Sequence, residues 1–254
     1  MNSASWIRWV VRSGIVGIVA LAALSMAAAP AAAADQCKNR GDLDIRYCDE
    51  DGDLLADTPK SPTAWLDPGT LIFSYTAVED PSVYENVFKE LMDHIAKKTG
   101  RPVKWYGPES YAAQVEAMRS GRLHISGFAA GATVYGVNLG GFHPVAMMGD
   151  KNGTFRGYRL WLITHKDSDI KTVKDLKNRK VAHVTPASNS GDQAPRALFK
   201  KEGITPDEDY KVVYSGKHDN SIMGVVNKDY DAAPIASTVM VRMIERKMFD
   251  RSAV

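Results

Sequence analysis

Two stretches of the chain place hydrogen-bond donors where a helix begins, and a third places carboxylates around a glycine. The first covers residues 181–199, VAHVTPASNSGDQAPRALF, in which Ser188, Asn189, Ser190 and Gly191 precede a helical run. A helix start points unpaired N–H groups and a partial positive charge outward, so hydroxyls and small residues there can hold a phosphate-like anion without an Arg or Lys. Ser and Asn are equally the ordinary N-capping residues, and the window alone leaves both readings open. The second stretch is Ser215-Gly216-Lys217-His218, where an imidazole opens a helix continued by Ile222, Val225 and Val226. A histidine on such a loop is often uninvolved. The third is residues 49–57, DEDGDLLAD. Alternating carboxylates at a turn can wrap a hard cation, here calcium, with Asp49, Asp51, Asp53 and Asp57 as ligands. The pattern departs from an EF-hand, since Gly52 comes too early and no Glu closes the loop, and a solvated acidic turn fits it better.

These residues need a scaffold, and the flanking periodicity supplies one. Val181, Ala182 and Val184 suit a buried strand that Pro186 stops, and the helix after Ser190 runs to Gly203. Upstream, residues 71–75 read as a strand. Asp80-Pro81 then offers an N-cap with proline at the first helical position, and Tyr84, Val87, Phe88, Leu91, Met92 and Ile95 form one apolar helix face ending near Gly100. Residues 103–106 are a second strand, Ser110 caps a helix through Val115 and Met118, and residues 123–126 are a third strand opening into the small-residue run 127–131. Residues 141–148 are expected as a strand leading out of this half, followed by a turn at 149–153 and a crossing strand at 156–164. A short helix at 173–176, a strand at 211–213 and a helix at 239–247 complete the pattern. Strands alternating with helices define an α/β chain, in which ligands bind at the carboxyl ends of strands, here the loop 76–81.

With three further stretches in the same order, the Ser188 window resembles the phosphonate/phosphite substrate-binding proteins of ABC transporters. These stretches are SYAAQVEAM (110–118), RGYRLWLIT (156–164) and SGKHDNSIMGVVNKDYDAA (215–233). The likeness runs from about residue 71 to 244 and is specific in combination. It implies a two-lobed type II periplasmic binding protein fold that closes on its ligand, with Ser188, Asn189 and Ser190 binding the phosphonate oxygens. By the same resemblance His218 is a donor to that group, and Tyr111 and Tyr158 wall the pocket on the organic or hydrogen-bearing side. Such chains return to finish the first lobe, so this one is expected to lack the C-terminal segment that completes the lobes. Counted without gaps from His218, Ser237 and Thr238 match a place where aminoalkyl-phosphonate binders carry a carboxylate. Neither is acidic, which implies a small ligand such as methylphosphonate or phosphite. The acidic stretch looks like the calcium loops of thrombospondin type 3 repeats, in a single copy.

Arg8 and Arg12 precede an apolar run and an Ala-rich end, the pattern of a secretory signal cleaved near Ala34, which implies a periplasmic location. The formal net charge is +2, and Arg8 and Arg12 account for both charges, so the exported chain is formally neutral. It lacks the basic excess that nucleic-acid binding requires. Export places Cys37 and Cys48 in an oxidising compartment, where they are expected to pair as a disulfide. The expected organisation is a signal peptide at 1–34, a Cys/Asp-rich segment with a proline-bearing connector at 35–68, lobe 1 at 69–156 and an incomplete lobe 2 at 157–254.

The function expected is capture of a small phosphorus oxyanion for a membrane ABC permease, by a monomer needing no cofactor beyond possible calcium. A ligand-sensing partner of a membrane receptor would share the pocket. A hydrolase or transferase using Ser188 or Ser190 has less support, because there is no GxSxG elbow, no HExxH and no convincing transition-metal ligand set.

Overall fold

Leu71–Tyr75 carries the aliphatic and aromatic residues of a half-buried strand and becomes β1. In this computed structural model, which describes residues 37–155 and 157–254, β1 lies between β2 (Val103–Tyr106) and β3 (Ile125–Gly127) in a three-stranded parallel sheet. The expected signal peptide and Arg156 lie outside the described residues. Parallel neighbours need crossovers, and helices supply them: α1 (Ser82–Glu85) and α2 (Lys89–Thr99) between β1 and β2, and α3 (Tyr111–Arg119) between β2 and β3. After β3 comes α4 (Ala130–Gly140), an element absent from the sequence reading because its small residues read as a loop.

The apolar stripe from Tyr84 onward forms two helices instead of one. Phe88 leaves helical geometry as its ring packs on Phe73 at 5.4 Å and on Tyr75 at 4.9 Å. Of the stripe, Tyr84 and Met92 are buried while Val87 and Leu91 are exposed. Residues 141–148 do not form the expected strand. They follow the left-handed Gly141 that ends α4, include Pro144 with no N–H to donate, and leave Val145, Met147 and Met148 exposed before an isolated bridge between Gly149 and Phe155. In the connector, Trp65 is largely exposed, and its Nε1 donates to the Pro59 carbonyl at 2.7 Å.

The second lobe is built on a four-stranded sheet of β4 (Leu160–Thr164), β5 (Lys180–His183), β6 (Lys211–Tyr214) and β7 (Ala232–Ala236), in the order β4-β7-β5-β6. β4 runs antiparallel to β7, and the remaining pairs are parallel. β7 escaped the sequence reading because Pro234 argues against a central strand. The sheet accommodates it by pairing β7 fully with β4 while β5 meets β7 only at Val181 and Ala232. Helices α5 (Ala194–Lys201), α6 (His218–Val226) and α7 (Ser237–Glu245) follow their strands. Ile163, Ile222, Val225, Ile235, Val239 and Met243 form the core between this sheet, α6 and α7. Residues Cys37–Val254 cluster as one compact unit.

The N-terminal segment is fastened to the first lobe. Cys37 and Cys48 are disulfide-bonded, and Leu43 and Ala56 pack on Val137 of α4. Arg46 donates to the carbonyls of Arg119 and Leu139, the ends of α3 and α4, at 2.8 Å each. Those carbonyls carry the partial negative charge of a helix C-terminus, so the guanidinium is well placed there. No helix among the described residues is long and apolar enough to cross a membrane.

Candidate functional site

The strongest sequence window folds into a single π turn, Asn189–Gln193, leading into α5. Ser188 stands at its N-cap in extended geometry, and its Oγ accepts the Gly191 N–H at 3.1 Å. The Val184 N–H donates to the Gly191 carbonyl at 3.0 Å, pinning the turn against the end of β5. Only glycine fits at 191, because a Cβ there would stand 2.4 Å from Val184 Cγ2. Ser188 is therefore a cap, and Ser190 is not: the Ser190 Oγ is buried and makes no hydrogen bond among the described residues. Buried hydroxyls nearly always find a partner, and π turns concentrate at functional sites. The first N–H groups of the turn precede any carbonyl the helix itself can offer them.

A second helix start meets the first. His218 is the first residue of α6 and is buried; its Nδ1 accepts the Ala236 N–H at 3.1 Å. A backbone N–H can only donate, so the imidazole proton resides on Nε2, which stands 3.3 Å from Ser188 Oγ. Burial, helped by the positive charge of Arg242, pushes the His218 pKa down to about 3. His218 is thus a neutral N–H donor.

Tyr111 opens α3 directly after its cap, Ser110. Burial raises the phenol pKa well above its ordinary value, and the hydroxyl faces Ser188 without a hydrogen bond of good geometry. Tyr111 and Ala132 of the first lobe pack against Val184 of the second, with Phe128 and Ala187 around them. Gly131, at the start of α4, approaches so closely that a Cβ would stand 2.7 Å from the Ala187 carbonyl and 2.9 Å from the Asn189 nitrogen. The six residues expected from sequence thus fall into two groups. Ser188, Ser190, His218 and Tyr111 lie buried around one turn. Asn189 and Tyr158 lie at its rim, where Asn189 Nδ2 donates to the Tyr158 hydroxyl at 3.2 Å and Tyr158 is 41% exposed.

Sequence reasoning missed the support behind the turn. His183, at the end of β5, meets Asp192 Oδ1 through Nδ1 at 2.8 Å and the Tyr210 hydroxyl through Nε2 at 2.7 Å. Arg196 Nε donates to both Asp192 oxygens at 3.1 and 3.0 Å, and the Tyr214 hydroxyl donates to Oδ1 at 3.2 Å. Burial alone would raise the Asp192 pKa; the His183 and Arg196 hydrogen bonds outweigh it and lower the pKa. The i,i+4 spacing of Asp192 and Arg196 was the available signal. The sequence reading also missed Glu79, a buried carboxylate, although it had marked the loop at 76–81.

The acidic loop does not converge as one set of four. Oxygens of Asp49, Asp51 and Asp53 lie within 4.8 Å of one another, while Asp57 groups with Glu50 and Cys48. Asp49 is buried, with Oδ1 accepting the N–H groups of Gly52 and Asp53 and Oδ2 that of Leu54. Such bonds are those of a self-contained acidic turn. A groove of about 460 Å³ lies elsewhere, between Trp161 and Ile163 of β4, Met240 and Ile244 of α7, and Val254.

Two sheets with a buried polar site where helix starts from both lobes meet define the class: a two-lobed α/β binding protein. Residues 73–254 match the model of the family described as ABC transporter, phosphonate, periplasmic substrate-binding protein, and the chain belongs to that family. The phosphate-import protein PhnD of Mycolicibacterium smegmatis is 29% identical over 205 residues, which cover 77% of this chain and 63% of that protein. The chain therefore spans less than two thirds of that relative's length. Its fold is similar to a binding-protein component of an ABC phosphonate transporter from Pseudomonas aeruginosa, with a TM-score of 0.63 at 22% identity over 72% of this chain and 62% of that one. It is also similar to PhnD1 of Prochlorococcus marinus in complex with methylphosphonate, with a TM-score of 0.62 at 20% identity over 72% of this chain and 69% of that one.

Proposed function

We propose that this protein is an exported solute-binding protein that captures a small phosphorus oxyanion between its lobes and presents it to a membrane ABC permease. One observation carries the reading: two buried hydroxyls without partners, Ser190 Oγ and Tyr111 Oη, beside a neutral histidine at a helix start. In this reading Ser188, Asn189 and Ser190 bind oxygens at the π turn, His218 Nε2 donates to another, and Tyr111 and Tyr158 pack the remaining side of the ligand. Hydrogen bonds to a charged group contribute roughly 1.5–3 kcal/mol each, so four or five of them support tight binding after desolvation and ordering costs.

The same geometry weighs against a serine nucleophile. His218 Nδ1 is engaged by Ala236 and Nε2 carries the proton, so no imidazole lone pair faces Ser188. A general base needs one. The site offers donors and no base, which favours binding over turnover.

Calorimetry of the exported protein against methylphosphonate, phosphite, phosphate, 2-aminoethylphosphonate and sulfate tests the proposal. Phosphate belongs in the panel because the mycobacterial relative is named for it. The expected result is binding of at least one small phosphorus oxyanion, with the amine-bearing ligand weakest among the phosphorus compounds. No carboxylate stands at Ser237 or Thr238, and Ser237 Oγ accepts the Arg159 N–H at 3.0 Å. A folded protein that binds none of them, or that hydrolyses phosphonate esters, would overturn the reading.

A further inference from the structure

Val78, Glu79 and Asp80 follow β1 in the first lobe, yet each is tied to the second. The Val78 carbonyl accepts the His218 N–H at 3.0 Å, and the Asp80 N–H donates to Asp219 Oδ2 at 3.1 Å. Between them, Glu79 is 2% exposed. Its Oε1 accepts from Arg242 Nε at 2.7 Å, and Arg246 Nη1 stands 3.4 Å from Oε2. The Tyr84 hydroxyl donates to Glu79 Oε1 at 2.8 Å and accepts from Arg242 Nη2 at 3.1 Å.

A carboxylate this buried is costly unless it is paired, and both cations that pair it come from the opposite lobe, Arg242 from α7 and Arg246 from its C-cap. Separating the lobes breaks both ion pairs together with the Val78 and Asp80 backbone bonds. The strip also reaches the oxyanion site without entering it. The His218 N–H, one of the free donors at the start of α6, is spent on Val78, which fixes the helix start that aims Nε2 at Ser188. Another inter-lobe ion pair in this region, Lys217 with Glu109 at 3.2 Å, has its carboxylate 83% exposed. A pair in that setting contributes little.

We infer that Glu79, with Arg242 and Arg246, is an inter-lobe clasp that positions His218 and sets how long a bound oxyanion is retained. The inference rests on the two-lobe capture reading above. Glu79 is a positioning residue: it acts on the ligand through lobe closure and contributes no donor.

The test uses the exported protein and two readouts. In the first, stopped-flow measurement follows association and dissociation of whichever of methylphosphonate, phosphite or phosphate the parent binds. Glu79→Gln should speed dissociation roughly tenfold and leave association nearly unchanged, since losing one partner of a buried charge pair acts mainly on dissociation. Arg242→Gln should act alike, and the double variant should lose little more than either single one. In the second, small-angle scattering of the ligand-free proteins should show a larger radius of gyration for Glu79→Gln than for the parent. Should Glu79→Gln fail to fold, Tyr84→Phe removes one hydroxyl and should speed dissociation about threefold, about 0.65 kcal/mol by the usual conversion. Unchanged dissociation and unchanged scattering in the folded variants would overturn the clasp. Scattering needs no ligand: an expanded Glu79→Gln protein whose parent binds no oxyanion would sink the capture reading and keep the clasp. Oxyanion binding that Glu79→Gln leaves untouched would do the reverse.

Discussion

Two polar clusters sit on opposite sides of one turn, and they differ in how completely they are paired. Behind the turn, His183, Asp192, Arg196, Tyr210 and Tyr214 satisfy one another: both ring nitrogens of His183 have partners, and Asp192 receives bonds from an imidazole, a guanidinium and a phenol. In front of it, Ser190 Oγ and Tyr111 Oη are as deeply buried and have none. A buried polar group without a partner costs roughly 1–3 kcal/mol, so a fold retains it where something other than stability is served. The satisfied cluster is scaffold, and under the proposed function the unsatisfied one is where a ligand would supply the missing partners.

If that division holds, substitutions in the rear cluster should act on stability first. The largest effect is expected from Asp192→Ala, which strips His183 of a partner and leaves Arg196 with Asp207 and Tyr214. Urea unfolding should show a loss of about 3 kcal/mol, the range for breaking one side of a buried charged network. An Asp192→Ala protein as stable as its parent but deficient in oxyanion binding would place Asp192 in the site and erase the contrast.

Much of the turn was legible beforehand, and what was missed has physical causes. Ser188-Asn189-Ser190-Gly191 announces a helix start through residue chemistry, and the strand before it announces itself by a short apolar run. Which serine caps and which stays unpaired depends on the π geometry, and no local pattern encodes that. His183 and Tyr210 are 27 residues apart and meet only because β5 and β6 pair in parallel. Glu79 and Arg242 are 163 residues apart and meet only across the lobes. β7 was hidden by Pro234, whose missing N–H is tolerated because pairing with β5 is confined to one residue pair. In α4, glycines and alanines look like a loop until the close approach at Gly131 gives them a reason.

His218 belongs to the front cluster and sharpens the comparison through pH. Its folded pKa of about 3 lies below the ordinary 6.5, so the unfolded chain binds a proton more readily between those values. Stability tied to neutral His218 is therefore complete above about pH 6.5 and falls as the pH drops toward 3, at about 1.4 kcal/mol per pH unit. Between pH 6.5 and about pH 5 the parent should lose about 2 kcal/mol from this group. Urea melts of His218→Gln over the same span should lack that part of the acid limb. Equal slopes in both proteins would mean that His218 is not held neutral by burial.

The smallest effect expected on stability is also the most discriminating. Ser190→Ala removes an oxygen that makes no hydrogen bond among the described residues, so the folded state loses none and sheds a desolvated hydroxyl. Urea unfolding should show a change within about 0.5 kcal/mol in either direction, or a slight gain. Oxyanion affinity should fall by about 1–2 kcal/mol, because the ligand then buries an oxygen that lacks one donor. The pattern differs from that of Asp192→Ala, where stability falls first and affinity follows it. Tyr111→Phe should repeat the Ser190 pattern more weakly, since its hydroxyl already faces Ser188. Both measurements are needed for each variant, because affinity alone does not separate a lost donor from a loosened turn. A Ser190→Ala protein that loses stability while binding unchanged would mean that the hydroxyl serves the fold, and the partnerless oxygen would no longer mark the site.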